Sequence, residues 1–243
     1  MSSFKKFQTA VQEEAFAVLK NGAAKIESFQ AECATHFAYP TLSKATEEFA
    51  SVGAAATNPK MTACVSSTLD VMDAVGKDLQ LIETFLNMHI PKMEDGNNFG
   101  VTVQLALLKQ ISDTQEALGK NIESLSGYAA SRADVLDKLS LPSSSSTTTK
   151  SSSSTTTDGK KEDKSSESTE EKQTAGNPSS VSHTARLGAL VTVDSLYYSK
   201  AQRAALSAIA SYMAVLDFLE KNQEKLKQPK GSAGSRSAYS GMY

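Results

Sequence analysis

Tryptophan is absent from the 243 residues and aromatic side chains make up only 7% of them. A core with so few large rings has to be filled by aliphatic side chains and alanine, which suits packed helices. Neither sign of charge is in excess: Lys and Arg number 25 against 27 Asp and Glu. No basic field therefore argues for nucleic acid, and no acidic surplus argues for a cationic partner. No stretch approaches the roughly 20 apolar residues that span a bilayer. Met1 to Phe7 lacks the apolar region of a secretory signal. The two cysteines, Cys33 and Cys64, have no paired spacing, and every Asn-x-Ser/Thr triplet is interrupted by proline. The expected setting is a reducing one inside the cell, in cytoplasm or nucleus.

Catalytic signatures are equally scarce. His36, His89 and His183 lie far apart, and none has metal-ligand spacing to a cysteine or to another histidine. There is no phosphate-cradling glycine loop ahead of a Lys and Ser/Thr pair, and no nucleophile elbow. Glu94 and Asp95 are adjacent in a turn, which does not place two carboxylates across a substrate bond. The sequence thus predicts no enzyme, no metal and no cofactor, with any activity conferred on a partner.

Helical periodicity fills much of the rest. Apolar residues step by three or four from Phe4 through Phe7, Val11, Ala15, Val18, Ile26, Phe29 and Cys33 to Phe37, with a gap at Gly22. Pro40 ends that helix, and Thr41 to Val52 reads as a short helix capped by Thr41 or Ser43. A second long helix spans about Lys60 to Ile90, with Val65, Leu69, Met72, Val75, Leu79, Ile82 and Leu86 in step. The third runs from Val101 through Leu105, Leu108, Ile111, Leu118, Ile122 and Leu125 to Leu139, where Pro142 stops it. A fourth begins near Ser182, has an alanine-rich middle that lets a neighbour approach closely, and ends before Pro229. Helices this long joined by so few residues run antiparallel, so the prediction is an all-α antiparallel four-helix bundle.

The connections differ sharply in character. Pro91 forces Ile90 out of the helical region, and Asp95-Gly96-Asn97-Asn98 forms a polar turn before Gly100, where a positive φ is available. Ser143 to Ser180 is a Ser/Thr and Lys/Glu run with almost no apolar surface to offset the entropy of ordering, so it reads as a disordered linker. Residues 229–243 form a Gly/Ser tail ending Gly241-Met242-Tyr243. The predicted organisation is 1–142 for three helices, 143–180 for the linker, 181–228 for the fourth helix and 229–243 for the tail.

The run Pro91-Lys92-Met93-Glu94-Asp95-Gly96-Asn97-Asn98-Phe99-Gly100-Val101-Thr102-Val103-Gln104 resembles the activation loop and following helix start of the eleven-S regulator (REG) family of proteasome activators. Gly22 to Glu27 resembles its first helix, Tyr212 to Leu216 with Glu220 to Gly231 resembles the end of its last helix, and Gly241-Met242-Tyr243 resembles its C-terminal peptide. That resemblance implies a seven-membered ring docking on the end of the core proteasome without ATP or ubiquitin. It implies that Tyr243, with Met242 and Gly241, enters a groove between outer-ring alpha subunits. It also implies that Glu94, Asp95, Gly96, Asn97, Asn98, Phe99 and Gly100 press the entrance gate open, with Asp95 and Asn97 making polar contacts. Unlike vertebrate relatives, this chain lacks a long charged insert between its first two long helices and carries the Ser/Thr insert between its last two. The competing readings are a helical scaffold whose polar loop is only a turn, and a membrane-surface bundle, for which no basic stripe is evident.

Overall fold

The computed structural model describes residues 3–91, 99–140 and 180–230. Seven helices occupy them: α1 Ser3–His36, α2 Leu42–Val52, α3 Pro59–His89, α4 Phe99–Ser126, α5 Tyr128–Ser140, α6 Ser180–Lys221 and α7 Gln223–Lys227. No strand occurs among the described residues. Six of them make four rods: α1, α3, α4 with α5, which breaks at Gly127, and α6 with α7; the short α2 packs against α6.

The rods alternate in direction. The Gln8 side-chain amide near the start of α1 donates to the carbonyl of Met88 near the end of α3, while Cys64 near the start of α3 donates to the carbonyl of His36. Midway, Lys25 and Asp78 pair at 2.7 Å. On the next seam Gln115 of α4 donates to Glu83 of α3. Arg186 of α6 donates to the Lys138 carbonyl of α5, so the fourth rod starts beside the end of the third and runs back. The antiparallel four-helix bundle predicted from periodicity is the observed fold.

Local signals mark the ends. Thr41 accepts from the Lys44 backbone N–H and caps α2, and Gly53, at φ 60°, ends it. Asn58 caps α3 through Met61 N–H, with Pro59 in the first turn, where its missing N–H costs nothing. Gly53 is the only described glycine with positive φ. The expectation of a positive φ at Gly100 is therefore not met, since Gly100 lies within the first turn of α4.

The core is aliphatic, and alanine sets its spacing. Ala201, Ala204, Ala205 and Ala208 of α6 are buried, and the Thr68 hydroxyl of α3 reaches the Ala201 carbonyl. Gly22, which weakens the helical pattern of α1, faces α6 closely: a Cβ on it would overlap Leu216 Cδ1, which would have to turn aside. The apolar register departs from the sequence reading in two places. In α3 the buried positions begin Met61, Cys64, Thr68, with Val65 and Leu69 only partly buried. In α4 the buried row is Gln104, Leu107, Ile111, Thr114, Leu118, while Leu105 and Ile122 are exposed. α4 carries two apolar stripes, and polar residues inside the buried one conceal it from a hydrophobic count.

Where α5 packs on α6, a buried polar cluster ties three segments together: α5, α6 and the connection from α2 to α3. Asp194 accepts from Arg132 at 2.6 Å, from Asn58 at 2.9 Å and from the Tyr128 hydroxyl at 2.8 Å, and Arg132 also donates to the Ala55 carbonyl. Arg132 and Asp194 are 3% and 1% exposed, so neither charge has solvent to fall back on. Burial first, then the bond to Asp194, pushes the Tyr128 hydroxyl far above its ordinary range and keeps it a donor.

Candidate functional site

The candidate site residues flank the end of the bundle where α3 stops, α4 starts and α7 finishes. Of the residues singled out in the sequence, Glu94, Asp95, Gly96, Asn97 and Asn98 lie outside the described residues, as do Gly241, Met242 and Tyr243. What the structure gives is the base of the turn and the root of the tail, and these are in contact.

Pro91 holds Ile90 extended at φ −67° and ψ 118°, which ends α3 at His89. Carbonyls in the last turn of a helix have no partner in their own ladder. The His89 carbonyl receives one from elsewhere: Gln104 Nε2, one turn into α4, donates to it at 3.1 Å. The same Nε2 donates at 3.1 Å to the carbonyl of Leu226 in the last turn of α7, just before Pro229. A single buried amide group thus caps two helix C-termini. Its orientation is set, because a flip would turn Oε1 toward two carbonyl oxygens. Oε1 itself is buried without a hydrogen-bond partner.

Three further contacts join the same elements. A Cβ on Gly100 would overlap the Pro229 backbone, so α4 and the root of the tail touch main chain to main chain. Lys225 Nζ sits 4.7 Å from the centre of the Phe99 ring. Lys227 Nζ sits 4.0 Å from the centre of the Phe16 ring, bringing α1 into the assembly. The His89 ring packs on Phe85 at 4.5 Å and its Nδ1 lies 2.8 Å from the Phe85 carbonyl, within the last turns of α3. Phe4, Phe7 and Phe99 stand 61%, 53% and 61% exposed at this end.

The sequence reading places Phe99 and Gly100 in the turn, whereas both lie in the first turn of α4, at the junction. In the sequence Gln104 is only the last residue of the motif, and nothing local marks its bridge to two carbonyls. Its phase with the buried Leu107 and Ile111 shows only in the structure, because the apolar stepping of the sequence runs through Leu105 and Leu108 instead. No group of three or more His, Cys, Asp or Glu placed to hold a metal occurs among the described residues, and no described helix is long and apolar enough to cross a membrane.

Residues 54–142 match the family model described as proteasome activator PA28, C-terminal. Proteasome activator 28 of Dictyostelium discoideum is 39% identical over 67 residues, 25% of this chain and 30% of that relative. Proteasome activator complex subunit 3 of Homo sapiens is 24% identical over 79 residues, 30% of this chain and 31% of its own. The matched stretch thus spans about a third of the length of these relatives. In three dimensions the likeness covers nearly everything. The 11S subunit of the Plasmodium falciparum proteasome, PA28, superposes with TM-score 0.60 at 15% identity, over 94% of this chain and 92% of that one. A chain from the archaeal 20S proteasome–PA26 complex superposes with TM-score 0.63 at 19% identity, over 95% and 98%. At these identities the superpositions establish a shared fold.

Proposed function

We propose that this chain, a relative of the PA28 proteasome activators through residues 54–142, is a non-enzymatic, ATP- and ubiquitin-independent activator of the core proteasome. Seven copies form a ring. Their C-terminal residues, Gly241-Met242-Tyr243, dock between outer-ring alpha subunits, and the turn from Glu94 to Gly100 opens the entrance gate. The observation that supports this reading is the contact between the start of α4 and the root of the tail, with Gly100 against Pro229. Grip and push then act on the same surface.

The energetics favour many weak tails. One exposed carboxylate pairing with a lysine contributes little, but seven tethered peptides bind at high effective concentration once the first engages. Docking alone does not open a gate. A ligand shifts a closed–open equilibrium only by binding the open form better, so the turn has to prefer displaced outer-ring segments. The linker 143–180 leaves the opposite end of the bundle, where α5 finishes and α6 starts. Its role on this reading is to filter or recruit traffic at the channel mouth distal to the proteasome, inside the cell, in cytosol or nucleus.

The test is purified full-length protein added to latent core proteasomes with short fluorogenic peptides. Hydrolysis rises. Deleting Tyr243 abolishes binding, whereas Asn97→Tyr retains binding and loses stimulation. A protein that stays a single subunit and leaves hydrolysis unchanged overturns the reading. Deleting residues 143–180 with no change in selectivity between peptides and proteins removes the filtering role alone.

A further inference from the structure

We propose that Gln104 is a positioning residue: it locks the base of the gate-opening turn to the root of the docking tail, so that the pull of a bound tail is delivered to the turn. This rests on the activator reading above. The geometry is unusual for a core position. Residues in phase with Gln104 on α4, Leu107 and Ile111, are apolar and fully buried, and a leucine at 104 would continue that row. An amide there instead donates at 3.1 Å to both His89 and Leu226, carbonyls 137 residues apart in sequence that end different rods. Its oxygen is left without a partner in the interior. A buried unpaired acceptor carries a stability cost, so the residue is not one that packing alone selects.

The consequence is mechanical. With Gln104 in place, the last turn of α3, the first turns of α4 and the last turn of α7 move as one body. Without it, two helix C-termini lose a shared donor, and the turn can yield when it meets the outer ring instead of displacing it. Tail binding is then retained while opening suffers.

The experiment compares wild type with Gln104→Met, which keeps the side-chain length and removes both donors. Particle mass, binding to core proteasomes and maximal peptide hydrolysis at saturating activator are measured. The expected result is an unchanged particle and a half-saturating concentration within about threefold of wild type, with maximal stimulation lower by roughly five- to tenfold, at the low end of site-to-site coupling. A merely structural glutamine would lower assembly, binding and stimulation together, and that pattern overturns the proposal, as does full stimulation at saturation. Wild-type protein that neither binds nor stimulates defeats the activator reading itself, whereas a stimulating wild type with an equally effective Gln104→Met defeats only the role of Gln104.

Discussion

Gly100 and Pro229 are in backbone contact: the space a Cβ on Gly100 would take is occupied by the carbonyl and Cα of Pro229. Neither partner can rotate out of the way, because the obstruction is main chain and proline fixes its own φ. Gly100→Ala should therefore cost about 1–3 kcal/mol as overpacking, despite the better helix propensity of alanine. Urea titration followed by helical ellipticity reads this directly. A Gly100→Ala protein as stable as wild type would show that the root of the tail shifts freely.

Gly119 supplies the contrast. It is exposed in the middle of α4, and a Cβ there meets nothing within 4 Å. Gly119→Ala should raise stability by about 0.5–1 kcal/mol, chiefly by narrowing the unfolded ensemble and improving helix propensity. The same titration checks it, and a loss of stability would place another surface against this face.

Arg132 and Asp194 are paired where water cannot reach them. Removing one partner strands a buried charge, so Arg132→Met should cost about 3–5 kcal/mol. In the double variant with Asp194→Asn the residual charge is gone while Asn58 and Tyr128 keep a polar neighbour. The two single losses should then exceed the loss in the double variant, a coupling measured by a double-mutant cycle.

Alkaline pH should weaken the fold through Cys64. Burial pushes its thiol from 9.0 up to about 11. Below pH 9 the thiol is protonated in both folded and unfolded chains, and its contribution is complete. Between pH 9 and 11 the unfolded chain loses the proton first, so stability falls as pH rises. Tyr212, pushed far up by burial and by its bond to Asp78, adds to the decline above pH 10. Comparing the slope of unfolding free energy against pH for wild type and Cys64→Ala between pH 9 and 10 isolates the thiol, whose removal should flatten that limb.

The four rods were legible because helical periodicity, Pro40, Pro91 and Pro229 act locally, and Thr41 capped α2 as its type predicts. The break at Gly127 was not legible, since apolar stepping carries across it from Leu125 to Leu136. The polar core positions were equally hidden. Thr68, Gln104, Thr114 and Asp194 are buried, and a count of apolar residues passes over them by construction.

What the sequence determined by itself was the inventory: long amphipathic helices, a polar Asp-Gly-Asn-Asn run after Pro91, a Gly/Ser-rich carboxyl end, and no recognisable catalytic motif. Their spatial relation belonged to the tertiary structure. His89, Gln104 and Leu226 are separated by 15 and 122 residues along the chain, and no local preference of any of them encodes the meeting. Antiparallel packing of the rods brings the ends of two helices to the start of a third, and a buried amide is then held there by the carbonyls those ends leave open.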